Sequence, residues 1–243
     1  MRLILIGYGV VAQSLTKILT VRKQEILERH SMHPRVVAIV DNGGSALNTK
    51  GLDLEKVEFI KKKFGTVASS PEYGIPGKSA QDIIDNFDAE VVIEATPTNL
   101  ETGEPGMSHI EESLKSGKHV VTVNKGPLAL ALPALTEMAA YNGVHLRFSG
   151  TVGGGTPILD FGRKCLSFDR LISIEGILNG STNYMLTEME KHGSTFEEAL
   201  SEAQDKGYAE ADPSLDVDGL DAAAKLTIMA NWFTDKKITL KDI

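Results

Sequence analysis

The chain has 243 residues, 42% of them hydrophobic, a formal net charge of −8 and one cysteine, Cys165. That length and apolar content suffice for one large domain or two ordinary ones with substantial cores, while the acidic balance argues against a nucleic-acid partner, which needs clustered Lys and Arg to meet phosphates. A lone cysteine forms no internal disulfide, the start lacks a basic region leading into an uninterrupted apolar run, and no apolar stretch reaches the roughly 18 residues of a membrane span, so a cytoplasmic chain with no membrane partner is expected.

Short apolar runs alternate with amphipathic stretches, the pattern of strands feeding helices in a parallel sheet. RLILIG at 2–7 predicts a buried first strand, and the spacing of Leu15, Ile18, Leu19, Ile26 and Leu27 predicts one helix from Val11 to about His30. PRVVAIVD at 34–41 is the second strand; the polar region 42–78, with the basic run Lys61 to Lys63, reads as irregular structure with one short helix. DAEVVIEAT at 88–96 and GKHVVTVNK at 117–125 are further strands, Pro127 to Tyr141 is helical, and VHLRFSG at 144–150 is another strand. After Gly150 come a Gly-rich turn, an apolar strand RLISIEGILN at 170–179, and helices near 181–192, 195–206 and 219–233. The change of character puts a domain boundary there, giving domains at 1–148 and 149–243.

GYGVVA places Gly7, Gly9, Val10, Val11 and Ala12 between the first strand and its helix. In a dinucleotide-binding unit the first glycine permits a tight turn, the second lets a pyrophosphate approach the backbone, and the third small residue allows close packing; the helix N-terminus then faces the phosphate. The other reading of so short a match is a plain strand-to-helix turn. Asp41 closes the second strand, where an acid accepts hydrogen bonds from the adenosine ribose and disfavours a 2′-phosphate; it reads equally as a turn residue. The cofactor expected from this motif is NAD(P).

The segment 91–129, with Thr96, Pro97 and Thr98 ending one strand and Asn124 and Lys125 ending the next, resembles the homoserine dehydrogenase family. Both segments fall at the carboxyl edge of the expected sheet, where doubly wound folds bind ligands. The resemblance implies that the Thr-Pro-Thr turn lies under the nicotinamide. It also implies that the glycine-rich turn SGTVGGGTPILD at 149–160 joins the domains and offers the carbonyls of Val152, Gly154 and Thr156 to a monovalent cation such as sodium. The Asn-Gly-Ser-Thr-Asn turn, with Gly180 and Ser181, resembles the family's contact with the amino-acid end of the substrate; a helix N-cap on Ser181 or Thr182 is the plainer reading.

GYAEADPSLDVDGLDAAAKL at 207–226 crowds carboxylates beside one lysine. A calcium loop fails, because the twelfth position of the EF-hand frame that begins at Ser214 is Lys225 and not Glu. A solvated acidic loop suits Asp212, Asp216 and Asp218. Asp221 and Lys225 differ, since four residues apart on a helix they share a face. By resemblance Glu210 receives the substrate ammonium, Asp221 orients the reacting group, Lys225 passes the proton with Lys125 converging on the same oxygen, and Tyr208 lines the pocket.

The expectation is a Rossmann-type doubly wound α/β domain at 1–148 followed by an α+β substrate and dimerisation domain at 149–243. The activity implied is reversible NAD(P)H-dependent reduction of L-aspartate 4-semialdehyde to L-homoserine, in threonine and methionine synthesis, by a homodimer. The family's chain continues beyond a point like Ile243, so a portion or a shortened form is expected. Two rivals are a related Rossmann dehydrogenase acting on another amino-acid-derived substrate and a catalytically silent dinucleotide-binding module.

Overall fold

In the computed structural model, which describes residues 1–234 and 236–243, the first apolar run forms strand β1 (Arg2–Ile6), buried from Leu3 onward. Six more strands follow: β2 (Arg35–Asp41), β3 (Gly44–Leu47), β4 (Gly74–Pro76), β5 (Val91–Glu94), β6 (His119–Thr122) and β7 (Leu146–Arg147). They make one sheet in the order β4-β3-β2-β1-β5-β6-β7. The pairs β1·β2, β1·β5, β5·β6 and β6·β7 are parallel, and β3 and β4 run antiparallel at one edge.

Strands buried on both faces carry unbroken apolar runs, and the pleat of β1 shows why. Leu3 and Leu5 enter one core with Val36, Ile39 and Val57. Ile4 and Ile6 enter the opposite core with Val37, Val40, Ile83 and Ile84. Each such side chain contributes about 1.5–3 kcal/mol when fully buried. The helices that cover the faces are α1 (Val10–Val21), α2 (Lys23–His30), α3 (Leu54–Phe64), α4 (Ala80–Asn86), α5 (Gly106–Lys115) and α6 (Lys125–Tyr141). The chain leaves β1 on one side for β2 and returns on the other as β5, so the carboxyl ends of β1 and β5 flank the switch point where doubly wound sheets open a crevice.

Two expectations are corrected within 1–151, and the helix expected over Pro127 to Tyr141 is formed with a bend. The single helix from 11 to 30 breaks at Arg22, whose φ of −98° and ψ of 16° end α1 before α2 begins. The polar region 42–78 is regular: it supplies both antiparallel edge strands and the eleven-residue α3, whose start is capped by Asp53. Helix α6 bends at Ala131, φ −146° and ψ 24°, because the ring of Pro133 crowds the carbonyl four residues earlier.

Clustering of the chain yields two units, Met1–Thr151 and Val152–Ile243. The second consists of α7 (Ile158–Cys165), α8 (Gly180–His192), α9 (Phe196–Asp205), α10 (Ser214–Val217) and α11 (Leu220–Phe233). Helices α7 and α11 approach closely where Gly162 lacks a side chain, since a Cβ there would stand 2.2 Å from the Phe233 ring. A small core of Met185, Ala199, Ala203 and Ala209 joins α8 to α9, and Thr195 with Glu198 closes a capping box on α9.

The strand expected at 170–179 is not formed, and no strand is assigned among the described residues of 152–243. The reason is pairing: a strand needs a neighbour for its N–H and C=O groups, and this unit offers none. The segment leaves Leu171, Ile172 and Ile177 in solvent, Ile172 being 92% exposed, while Ile174 and Leu178 are half-buried. Among the described residues, no helix is long and apolar enough to cross a membrane.

Candidate active site

A cleft of about 880 Å³ opens at the switch point of the first unit, lined by Gly7, Gly9, Asp41, Lys78, Thr96 and His109 among others. The three small residues of the GYGVVA turn divide the work as the motif requires. Gly7 has φ +87°, and a Cβ on it would meet the carbonyl oxygen of Ala95 at 2.5 Å, so the turn brings the ends of β1 and β5 together. Gly9 caps α1 without a side-chain hydrogen bond, and a Cβ there would touch nothing within 4 Å; the open side leaves room for a phosphate to reach the first N–H groups of α1. Ala12 is 1% exposed against the sheet, whereas Val10 and Val11 point outward at the cleft mouth. These features fit a dinucleotide pyrophosphate. Gly7→Ala is expected to cost roughly 1–3 kcal/mol of stability through strain at this φ and to weaken cofactor binding together with it, as thermal denaturation and cofactor titration of the same variant will show.

Asp41 lines the same cleft but turns its carboxylate inward, the side chain being 5% exposed. One oxygen accepts from Gly43 N–H at 3.0 Å and Thr66 Oγ1 at 2.6 Å. The other accepts from Lys61 Nζ at 2.8 Å and Val67 N–H at 2.9 Å. Burial alone pushes this carboxyl up, but donation from Lys61, Thr66, Val67 and Gly43 outweighs it and holds the group below its ordinary value. A carboxylate offers about four acceptor positions, so all of Asp41's are in use within the protein and a ribose hydroxyl would have to displace one donor. Lys61 and Lys78, which no motif singled out, also line the cleft.

At the far side, Asn124 is 1% exposed and caps α6, its Oδ1 accepting from Gly126 N–H at 3.1 Å. Its Nδ2 donates to Thr96 Oγ1 and to the Pro97 carbonyl, each at 3.3 Å. Thr96, Pro97 and Asn124 are thus brought together, with the half-buried Lys125 beginning α6.

The second unit gathers a separate constellation. Lys225 Nζ lies 2.6 Å from Asp221 Oδ2, the side chains 18% and 8% exposed, and donates to the Leu178 carbonyl at 2.8 Å. Two of its three N–H bonds are accounted for in this way. Asn179 Nδ2 donates to Asp221 Oδ2 at 2.9 Å and to Asp216 Oδ1 at 2.5 Å. Ser181 Oγ lies 2.6 Å from both Asp216 Oδ2 and the Tyr208 carbonyl.

Two sequence readings change accordingly. The cap of α8 is Asn179, whose Oδ1 accepts from Thr182 N–H at 2.8 Å, and not Ser181 or Thr182. Asp216 is no solvated loop residue: it holds Asn179 and Ser181, whereas Asp212 remains exposed and bonds only locally to Ser214 N–H at 3.1 Å. Spacing could not have flagged Asp216, because α10 ends before Gly219, whose φ of 79° starts α11 in a new direction, and its partner Asn179 lies 37 residues earlier. Gly180 opens α8 beside Ser181. Glu210 is exposed, and the Tyr208 ring stacks on Tyr184 with centroids 4.7 Å apart. In the turn ahead of α7, the Thr156 carbonyl accepts from Ile158 N–H at 2.8 Å and the Gly153 carbonyl from Thr156 N–H at 2.6 Å. Among the described residues no group of three or more His, Cys, Asp or Glu side chains could hold a metal ion.

Comparison with known proteins identifies the family. The family profile described as homoserine dehydrogenase, NAD binding domain, matches residues 7–149, and the profile described as homoserine dehydrogenase matches 157–243. The homoserine dehydrogenase of Methanocaldococcus jannaschii is 46% identical over 243 residues, covering 100% of this chain and 72% of that protein. The NAD(+)-dependent homoserine dehydrogenase of Pseudomonas canavaninivorans is 37% identical over 243 residues, covering 100% of this chain and 68% of its own. A hyperthermophilic archaeal homoserine dehydrogenase in complex with NADPH superposes with a TM-score of 0.85 at 26% identity, over 97% of this chain and 70% of that one. A crystal structure from Archaeoglobus fulgidus described as a homoserine dehydrogenase gives 0.88 at 36% identity, over 100% of this chain and 71% of its own. With a Rossmann-like cleft in one unit, a buried lysine–aspartate pair in the other, and relatives matched along its whole length, the chain belongs to the homoserine dehydrogenase family, the NAD(P)-dependent oxidoreductases that act on a CH–OH group.

Proposed function

We propose that Lys225 is the proton-transfer residue in the reversible conversion of L-aspartate 4-semialdehyde to L-homoserine, and that Asp221 orients it. The observation that carries this reading is the 2.6 Å contact between Lys225 Nζ and Asp221 Oδ2, largely withdrawn from water. The nicotinamide, when bound, supplies or takes the hydride. Hydride arrival at a carbonyl leaves negative charge on its oxygen, and a positioned ammonium both stabilises that charge and delivers a proton to it. With two N–H bonds of Lys225 given to Asp221 and the Leu178 carbonyl, the third is assigned to the substrate oxygen.

Glu210 and Asp216 are assigned to the substrate's ammonium, with Ser181, Gly180 and Tyr208 framing that end. Lys125, at the start of α6 beside the 96–98 turn, is assigned to the reacting end of the cofactor. Gly7, Gly9, Val10, Val11 and Ala12 hold the pyrophosphate, and Asp41 supports the adenosine side through Lys61. A sodium ion on the carbonyls of Val152, Gly154 and Thr156 belongs to the same proposal; the Thr156 carbonyl would contribute its second lone pair, the first being taken by Ile158 N–H. The wider setting proposed is a cytoplasmic homodimer serving threonine and methionine synthesis.

The test is oxidation of L-homoserine with NAD⁺ and with NADP⁺, followed through the absorbance of the reduced nicotinamide, beside L-serine and other amino alcohols. Turnover of homoserine in preference to the others is expected. Turnover of another substrate instead, or tight cofactor binding with no turnover of any, would sink the reading.

A further inference from the structure

Glu94 closes β5 with its side chain wholly out of solvent, a position that is costly for a carboxylate unless donors meet its lone pairs. They come from the two strand ends beside the cleft. Oε1 accepts from Thr96 N–H at 3.0 Å and from the Thr96 hydroxyl; Oε2 accepts from Thr122 Oγ1 at 3.0 Å. Asn124 fixes the direction of both hydroxyls, because it donates to each of them: its Nδ2 to Thr96 Oγ1 at 3.3 Å and its N–H to Thr122 Oγ1 at 3.0 Å. The hydroxyl protons are left to point at Glu94. Glu94, Thr96, Asn124 and Thr122 therefore close a ring of hydrogen bonds that ties the end of β5 to the end of β6, and the further bond from Asn124 Nδ2 to the Pro97 carbonyl extends it along the turn. That turn and His109 form one wall of the cleft. His109 Nδ1, buried with no hydrogen-bond partner among the described residues, stands 3.9 Å from Glu94 Oε1.

We infer that Glu94 is a positioning residue for the nicotinamide end of the cofactor, setting the shape of the 96–98 turn through Thr96, Asn124 and Thr122 without touching the ligand. The inference rests on reading the cleft as the dinucleotide site. Its hydrogen-bond partners all lie at the β5–β6 side, and the adenosine side at Asp41 is built from other groups; the pyrophosphate turn meets the ring only through backbone packing of Gly7 on Ala95 and Thr96. A fault in the ring, which acts through the side chains of Thr96, Thr122 and Asn124, should therefore be felt more at the nicotinamide than at the adenosine side.

The experiment is calorimetric titration of wild type, Glu94→Gln, Thr122→Val and Thr122→Ser with the tighter-binding of NADH and NADPH and with the matching ADP-ribose, which lacks the nicotinamide. Glu94→Gln replaces an acceptor by a donor at the same volume, and about a tenfold loss of affinity for the reduced cofactor is expected, with ADP-ribose binding unchanged within about twofold. Thr122→Val should follow it and Thr122→Ser should match wild type, because serine keeps the hydroxyl; this pair decides the matter even where Glu94→Gln does not fold. Equal weakening of both ligands, no weakening of either, or a Thr122→Ser variant as impaired as Thr122→Val would overturn the inference. A wild-type chain that binds neither ligand would instead overturn the reading of the cleft, and this inference with it.

Discussion

Lys225→Ala is expected to lower kcat for homoserine oxidation by about 10²–10⁴-fold, the range supplied by a positioned acid–base group, while the affinity for NAD(P)H stays as in wild type. The separation follows from the architecture, since Lys225 lies on α11 within 152–243 and the cofactor cleft is lined by residues of 1–151. Removing the ammonium also takes away the 2.6 Å contact to the buried Asp221, which carries a structural cost of its own. Lys225→Gln preserves most of the volume and one N–H donor. A kcat that remains low in both variants, with melting temperatures near wild type, assigns the loss to proton transfer. Rapid turnover by either variant would remove Lys225 from the chemistry.

The second large effect is on stability. Asp41→Ala is expected to destabilise the fold by roughly 3 kcal/mol, the lower end of the range for removing one partner from a buried ion pair, because Lys61 stays 23% exposed and keeps some water. The N–H of Val67, the hydroxyl of Thr66 and the N–H of Gly43 lose an acceptor at the same time. The pH dependence has a definite sign. The folded-state carboxyl sits below its ordinary value, so its contribution is complete above the unfolded value of about 3.9 and disappears as pH falls through the lower folded value. Urea unfolding of wild type and variant should therefore differ by a constant amount from neutrality down to about pH 5, and the two curves should converge in stronger acid. A gap that widened on acidification would contradict the inward, donor-saturated carboxylate.

Much of the first unit was legible because its signals are local. The runs at 2–7, 34–41, 88–96 and 117–125 needed only to be apolar on both faces, and the turn glycines announce themselves by lacking a side chain where Ala95 approaches Gly7. What escaped was decided over longer separations. The polar segment 42–78 becomes sheet edge because β2 presents unpaired backbone to it, a fact its own composition does not carry. Asp41 had the sequence of a ribose acceptor, but Lys61 and Thr66, 20 and 25 residues on, take its lone pairs. Asp216 looked like solvent-facing acid among Pro and Ser until Asn179, 37 residues earlier, was found donating to it. The strand expected at 170–179 had the right composition, yet composition cannot supply a neighbour.

Anyone wishing to redesign which adenosine ribose this protein accepts would usually begin with the acid that closes β2. Here that acid is a fastener for the loop between 43 and 67, and exchanging it would loosen the scaffold before altering selectivity. Lys78 and Asn42, which border the same opening with side chains at or near the surface, are the better starting positions, because they can be varied without dismantling anything behind them.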